Sequence, residues 1–393
     1  MKKPLNHKIA YLLSLGIMAK LLVDTSFQLF NPFLTIIAAG VGMSAVSLGG
    51  LVGIRSILGL SAPLIGTMAD RMGYRKVMQV SLVITGAGLI ICGFSKQPAV
   101  FAAGIILTGV GQAGFTPNLH AHVSSKLPYK KRAMGIGILE YSWALAGMIG
   151  LLGTGLLIEA FSWRSPFVVL GISLIISSLL FTSLPESTLR KVKKNYLPMG
   201  RRITEFLKLG GNARSAWGAL TVQCLVIFSI MHLMIIHGGW LVDEYNLSPA
   251  VLGTVALIMG FTDLSASVSV SIFVDRIGKK KSVAIGLTGM IVGFILLPLV
   301  NLTLIMAVVG LIIPRTFFEF AIVSNIALVS EQVPEERGKI MSLNSAAGLL
   351  GITSASALGP VNYYNLGING LSLISLAAAG IALIVLLFIV KDH

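Results

Sequence analysis

Long apolar stretches alternate with short polar segments along the whole chain. Each stretch is about 20 residues or longer, the length that a helix needs to cross the hydrocarbon core of a membrane. Helices are expected because lipid offers no hydrogen-bond partners to exposed backbone amides. The predicted spans are 9–38, 44–66, 77–95, 99–123, 133–159, 164–184, 214–239, 247–272, 281–300, 303–330, 339–360 and 367–390. The pattern therefore predicts an all-α integral membrane protein with twelve transmembrane helices.

The composition agrees with a lipid environment. Apolar residues make up 55% of the 393 positions and charged residues 11%, whereas a soluble protein carries about 25% charged residues. So few charges leave too little polar surface to cover a water-soluble particle of this size. The first apolar stretch begins at Ile9 behind several basic residues, like a signal peptide, but it continues to about Ala39. A signal-peptide core has only about 7–15 residues, so we predict an uncleaved first span.

The distribution of basic residues predicts the orientation of the spans. The net charge is +15, but Lys and Arg stand in short clusters between apolar stretches, which argues against nucleic acid as a partner. With both termini in the cytoplasm, 25 of the 30 Lys and Arg residues lie on the cytoplasmic side, and only Lys96 and Arg164 lie outside. This asymmetry follows the positive-inside rule. It predicts a multi-pass protein of the bacterial inner (plasma) membrane with both termini cytoplasmic.

An internal repeat divides the chain into two halves. The longest polar segment separates six spans from six, so we predict an N-terminal six-helix bundle at 1–184, a cytoplasmic linker at 185–213 and a C-terminal six-helix bundle at 214–393. The sequence Asp-Arg-Met-Gly at 70–73 recurs as Asp-Arg-Ile-Gly at 275–278, which is 205 positions later. Two bundles of equal spacing and orientation are typical of transporters that bind a solute between their halves.

A motif rich in glycine and charge follows the second span. Its residues are Gly66, Asp70, Arg71, Gly73, Arg75 and Lys76, and the second copy retains Asp275 and Arg276. Glycine permits sharp turns and close helix approach, and an acidic side chain can accept hydrogen bonds from a helix N-terminus or from a basic partner. The full spacing predicts a cytoplasmic gate that holds one conformation and opens in the other. For Arg75 and Lys76 alone, the simpler interpretation is a basic anchor at the anionic inner leaflet.

Three segments carry a resemblance to a known family. The motif at 66–76 is similar to the loop after the second span of the major facilitator superfamily, and the segments 161–167 (FSWRSPF) and 184–187 (LPES) resemble the start and the end of its sixth span. The chain resembles in particular the twelve-span branch of drug:proton antiporters, which implies the major facilitator fold and proton-coupled export. Two antiporter features are missing, because the segment 109–114 (GVGQAG) lacks an Arg and the segment 147–153 (GMIGLLG) lacks a Pro.

Seven ionisable residues lie inside predicted spans, where charge is costly. They are Lys20, Asp24, Arg55, Glu140, Asp263, Arg315 and Glu319. A charge at the centre of a transmembrane helix costs about 2.5–3.5 kcal/mol on insertion scales. These side chains are therefore expected to face a solute cavity, to pair or to stay neutral. All of them except Glu140 are, together with Gln112, our candidates for proton coupling or for the cavity. Glu140, two turns into its span, is a candidate for the gate rather than for this site.

Two of the charged pairs have helical spacing. Lys20 and Asp24 stand four residues apart, and so do Arg315 and Glu319. Either such a pair only neutralises itself, or its carboxylate carries a proton whose affinity is set by burial and by the neighbouring cation. Asp24 is our first candidate for the proton carrier and Glu319 the second. Arg55 and Asp263 have no partner on their own helix, so Arg55 is expected to hold a solute anion or a carboxylate from another helix.

These features favour a secondary active transporter. The leading prediction is proton-coupled efflux of small amphipathic or drug-like compounds by alternating access. The alternatives are uptake or exchange of an anionic or zwitterionic metabolite, favoured by Lys20, Arg55 and Arg315, and a lipid flippase of the same fold. An enzyme is not indicated, since the sequence contains no nucleophile–base set and no metal-ligand spacing. We expect a small-molecule solute, protons and the bilayer as partners, no cofactor or metal, and a monomer.

Overall fold

Helices form the regular structure of this chain. The computed structural model describes residues 7–62, 65, 68, 69, 72–128, 132–184 and 207–392, and across these residues no strand occurs. A helix satisfies its backbone hydrogen bonds within one segment, which is the arrangement that lipid permits. The predicted all-α membrane fold is confirmed.

Eight helices of the first half are described from end to end. They are α1 (His7–Gln28), α2 (Phe30–Val41), α3 (Ala45–Ile57), α4 (Tyr74–Phe94), α5 (Pro98–Lys126), α6 (Arg132–Leu145), α7 (Leu151–Ala160) and α8 (Ser165–Leu180). Tight turns of 3₁₀ geometry follow α3 and α8, and a π-helical segment, Ala146–Gly150, joins α6 to α7. Local sequence sets some of the ends: Ser44 caps α3 by accepting from Ser47 N at 3.0 Å, and Pro98 opens α5.

Six helices cover residues 207–392. They are α9 (Ala213–Met234), α10 (His237–Tyr245), α11 (Pro249–Ile277), α12 (Lys279–Leu299), α13 (Leu304–Gln332) and α14 (Arg337–Phe388). Asn212 caps α9 by accepting from Ser215 N at 3.4 Å. Within α14, Gly367 has φ 65° and ψ −168°, which no α-helix contains. Gly367 therefore divides α14 where the sequence separates the eleventh and twelfth spans.

The described residues form two compact units. Residues up to 184 belong to the first unit together with 246–260, the beginning of α11. Residues 207–245 and 261–392 belong to the second unit. The predicted linker at 185–213 lies outside the described residues up to position 206.

The number of spans agrees with the sequence pattern. Among the described residues, ten helices are long and apolar enough to cross a membrane, and the pair Phe30–Val41 and Ala45–Ser61, bent by 119°, gives an eleventh. The last of the ten, Pro334–Phe388, contains the break at Gly367. When this break is counted, the helices agree with the twelve predicted spans.

The turns before α4 and α12 have the same backbone geometry. Gly73 has φ 88° and ψ 144°, and Gly278 has φ 94° and ψ 143°. Each glycine amide donates at 2.9 Å to a carbonyl four residues earlier, that of Ala69 or Val274. A side chain would be strained at such a φ, so both positions favour glycine. The repeat seen in the sequence thus extends to the backbone.

Candidate functional site

The first unit holds an ion pair between α1 and α6. Lys20 Nζ lies 2.9 Å from Asp24 Oδ2 on its own helix and 3.3 Å from Glu140 Oε2 on α6. Ser142 Oγ donates to Asp24 Oδ2 at 2.6 Å and accepts from Lys20 Nζ at 3.1 Å. The Lys20 and Asp24 side chains are only 3% and 8% exposed, whereas that of Glu140 is 50% exposed. One ammonium is therefore shared between a buried and a half-exposed carboxylate.

Glu140 belongs to this cluster through both of its oxygens. Its Oε1 lies 3.0 Å from His120 Nε2 on α5, while its Oε2 faces Lys20. These contacts bring Glu140 together with the intramembrane charges Lys20 and Asp24, and its place in the cytoplasmic gate stays a prediction. The sequence did not indicate Ser142 or His120 as partners, since each is more than 90 positions from α1 and no helical spacing links them.

Arg55 of α3 has only neutral partners. Its Nη2 donates to the Ser26 carbonyl oxygen at 3.1 Å and to Gln112 Oε1 on α5 at 3.0 Å. Its guanidinium carbon lies 4.9 Å from the ring centre of Phe27 and 5.2 Å from that of Phe30. Arg55 is 2% exposed, and no carboxylate among the described residues forms an ion pair with it. Of the two partners expected from the sequence, a carboxylate from another helix is therefore not observed in the described part of the chain.

The second unit holds a bidentate ion pair between α11 and α13. Arg315 Nε donates to Asp263 Oδ1 at 2.8 Å and to Oδ2 at 2.9 Å, and Arg315 Nη2 donates to Oδ2 at 2.6 Å. Glu319, one turn after Arg315, accepts from Ser267 Oγ at 3.1 Å. Of the two carboxylates near Arg315, Asp263 on α11 forms the ion pair, and Glu319 on the same helix does not. Glu319 is partly exposed, and no cation in the described ranges forms an ion pair with it.

A cavity of about 360 Å³ lies along the same two helices. Its lining combines aromatic rings and hydroxyl groups: Phe261, Thr262, Ser265, Ala266, Ser269, Thr316, Phe317 and Phe320. The size is at the lower end of the range of small-molecule sites, about 300–1,000 Å³. An apolar wall with a few hydroxyls suits a small amphipathic molecule better than a strongly polar one.

The gate motif is described only in part. Gly66, Asp70 and Arg71 lie outside the described residues, as does the side chain of Asp275. Arg75 Nη1 donates to the Leu184 and Thr182 carbonyl oxygens at 2.8 and 3.3 Å, beyond the end of α8. Arg75 therefore binds the carbonyl-rich end of a helix, where a cation is favourable, instead of pointing only at lipid headgroups. Lys76 and Arg276 are exposed, and the role of the motif as a gate stays a prediction.

The comparison with known proteins points to one family. A sequence profile of the Major Facilitator Superfamily matches residues 17–235 and 219–393. The benzoate transport protein of Acinetobacter baylyi is 29% identical over 152 residues, which are 37% of this chain and 33% of that protein. The multidrug resistance protein MdtG of Yersinia enterocolitica is 23% identical over 86% of this chain and 83% of its own length. The structure of a D-xylose-proton symporter superimposes with a TM-score of 0.78 at 18% identity and covers 98% of both chains. At this identity the last match concerns the fold alone.

Proposed function

Because this chain belongs to the major facilitator superfamily, we propose that it exports small amphipathic or drug-like solutes in exchange for protons, by alternating access. Membership makes it a multi-pass membrane transporter and not an enzyme. The finer proposal covers the solute, the direction and the proton. We also propose that it resides in the inner (plasma) membrane with both termini cytoplasmic, which the asymmetry of Lys and Arg supports.

The carboxyl group of Glu319, which forms no ion pair among the described residues, is the observation that carries proton coupling. The neighbouring Arg315 is already held by Asp263 through three hydrogen bonds, and Glu319 has Ser267 as a hydrogen-bond donor. A charge inside a membrane span is costly, and a proton that binds Glu319 removes that charge. Ser267 can hydrogen-bond either form of the carboxyl. Glu319 can therefore gain and lose a proton without breaking an ion pair.

Asp24, the carboxylate that the sequence favours for this role, is held more tightly. Lys20 and Ser142 both donate to the same Asp24 oxygen. A proton on Asp24 would break this ion pair and leave Lys20 with Glu140 alone. We therefore propose Glu319 as the main proton carrier and treat Asp24 as the alternative.

The direction of export is supported by the relative MdtG, which is named a multidrug resistance protein. The cavity along α11 and α13 fits the same class of solute, since its walls are aromatic and carry few polar groups. Transport of an organic anion is the second candidate. It is favoured by Arg55, which lacks a carboxylate partner among the described residues, and by the relative that is named a benzoate transport protein.

The test is proton movement in proteoliposomes that contain a pH-sensitive dye. We expect addition of a transported solute to move protons in the wild type. The same is expected of Glu336→Gln, a matched control because Glu336 belongs to neither of the charged clusters around Lys20 and Arg315. Glu319→Gln is isosteric and cannot carry a proton, so it should keep downhill solute flux but lose solute-driven proton movement. Asp24→Asn should keep at least part of this movement. Full proton movement in Glu319→Gln, or its complete loss only in Asp24→Asn, would contradict Glu319 as the carrier.

A further inference from the structure

We propose that Arg55, in the first unit, binds the carboxylate group of an organic solute. The proposal rests on the transport function proposed above and names the chemistry of one solute site. Arg55 combines three features: full burial, neutral hydrogen-bond partners and two aromatic rings against its guanidinium.

The charge balance of the intramembrane cations singles out Arg55. Lys20 contacts two carboxylates, Asp24 and Glu140, and Arg315 is held by Asp263. Arg55 has no such partner among the described residues, and an Arg inside a protein stays charged. A buried cation without a counter-charge is costly, and in a membrane span it marks a functional site by default. If the bound solute supplies the counter-charge, a buried cation at position 55 is explained despite its cost.

The geometry leaves part of the guanidinium free for a ligand. The two described hydrogen bonds use Nη2 alone, while Nε is buried and has no hydrogen-bond partner in the described part of the chain. Gln112 is itself fixed, since its Nε2 donates to Ser26 Oγ at 3.1 Å. Helices α3 and α5 are also in close contact, because a Cβ atom on Gly109 would lie 2.9 Å from the Arg55 carbonyl oxygen. Arg55 is thus held in place by neutral groups and keeps donors that suit a carboxylate.

The surroundings of Arg55 indicate the body of the solute. Phe27 and Phe30 lie against the guanidinium, and the Phe27 ring centre is 5.9 Å from that of Trp143. Carboxylates approach a guanidinium along its planar edge, which stacked rings leave accessible. Aromatic walls favour an apolar body next to the carboxylate. We therefore expect small aryl carboxylates to bind better than their neutral amides.

The experiment measures equilibrium binding to the purified full chain in detergent. The probes are phenylacetate, 3-phenylpropionate and the two corresponding carboxamides, each titrated against intrinsic tryptophan fluorescence. In the wild type we expect at least one carboxylate to bind at least tenfold more tightly than its carboxamide. Arg55→Gln should weaken that carboxylate about 30-fold, within the range for a hydrogen bond to a charged group. Affinity for the carboxamide should change less than about threefold, since its hydrogen bonds are neutral.

Two further variants separate recognition from folding. Arg164→Gln is the matched control, because Arg164 also stacks on an aromatic ring, Trp163, and donates to the Ser95 carbonyl oxygen at 3.0 Å. It should leave carboxylate binding unchanged. Arg55→Lys keeps the charge but loses the planar fork, so it should weaken carboxylate binding less than Arg55→Gln does. Size-exclusion profiles show whether each variant is folded. If Arg55→Gln does not fold, the proposal is tested by the preference of the wild type for carboxylate over carboxamide and by the carboxylate affinity of Arg55→Lys.

Three results would overturn the proposal. They are equal affinity for carboxylate and carboxamide, unchanged carboxylate binding in a folded Arg55→Gln, and no binding of either carboxylate to the wild type. The titration uses no membrane and no pH gradient. Its failure therefore leaves the proton-movement test of Glu319 unaffected, and loss of proton coupling leaves the carboxylate preference intact.

Discussion

Neutralising Arg315 alone is expected to lower the stability of the folded protein far more than neutralising Arg315 and Asp263 together. Asp263 is 7% exposed and receives all three of its described hydrogen bonds from Arg315. Arg315→Gln leaves a buried carboxylate without its cation, and breaking a buried pair in this way costs about 3–5 kcal/mol. The double variant Asp263→Asn/Arg315→Gln removes both charges. Replacing both partners of a buried pair by well-packed apolar residues is often neutral. Asn and Gln are polar, but they are uncharged, similar in size to the native side chains and able to hydrogen-bond to each other, so we expect a cost of about 0–1 kcal/mol.

The single variant Asp263→Asn should lie between these two. Glu319 stands one turn from Arg315 on α13, so the freed guanidinium has a second carboxylate within reach. We expect a cost of about 1–2 kcal/mol, below that of an unpaired buried charge. The new pair would hold Glu319 as a carboxylate, because a proton on Glu319 would then break an ion pair. Solute-driven proton movement should therefore fall in Asp263→Asn although Glu319 itself is unchanged.

The assay is thermal unfolding of the purified variants in one detergent, combined with proton movement in liposomes. At about 2 °C per kcal/mol for a large domain, Arg315→Gln should lower Tm by roughly 6–10 °C and the double variant by roughly 2 °C or less. The control is the same cycle on Glu336 and Lys339, whose partly exposed pair at 3.2 Å should contribute at most about 1 kcal/mol. A double variant whose Tm loss equals the sum of the two single losses would refute the reasoning.

Two further predictions concern the gate and the orientation. Arg75→Gln removes the hydrogen bonds to the Leu184 and Thr182 carbonyls, so turnover in proteoliposomes should fall roughly threefold or more while equilibrium solute binding stays unchanged. Loss of solute binding at an unchanged turnover would contradict a role in the gate. The control is Lys96→Gln, a substitution in an exposed loop. Reporter fusions after Lys96 and after Asp243 should report an external location and a fusion at the C-terminus a cytoplasmic one. Cytoplasmic activity of either loop fusion would contradict the proposed orientation.

The spans and the turns could be predicted because they depend on strong local constraints. Lipid requires long apolar helices, so the apolar stretches indicated most spans to within a few residues, with Gly367 as the break between the last two. The predicted first span, 9–38, is the exception, because the first membrane helix ends at Gln28 and Phe30–Val41 forms a bent pair with Ala45–Ser61. The repeated Asp-Arg-x-Gly sequence corresponds to two turns of the same geometry, since Gly73 and Gly278 both have φ near 90°. The ion pair of Lys20 with Asp24 also follows from local geometry, since residues four apart share a helix face.

The partners between helices could not be predicted from spacing. Arg315 has Glu319 at the favourable distance along α13, yet it binds Asp263 on α11, 52 positions earlier. Likewise Lys20 reaches Glu140 and Ser142, about 120 positions later. Periodicity identifies the face of a helix on which a residue lies, but the neighbour of that face depends on how side chains of two helices fit together. The interactions that decide the candidate site are of this second kind.

The two units share an arrangement of charge that favours a glutamate as the proton carrier. In the first unit one cation, Lys20, stands with Asp24 and Glu140, and in the second Arg315 stands with Asp263 and Glu319. In each unit the aspartate is buried and holds the cation closely, while the glutamate is the more exposed of the two carboxylates. A proton on the aspartate would break the ion pair on which the buried cation depends. In the second unit a proton on Glu319 removes the surplus negative charge and leaves the pair of Arg315 with Asp263 intact, so coupling through Glu319 preserves the packing that coupling through Asp263 would disturb. Glu140 of the first unit is itself paired with Lys20, which makes Glu319 the better carrier of the two glutamates.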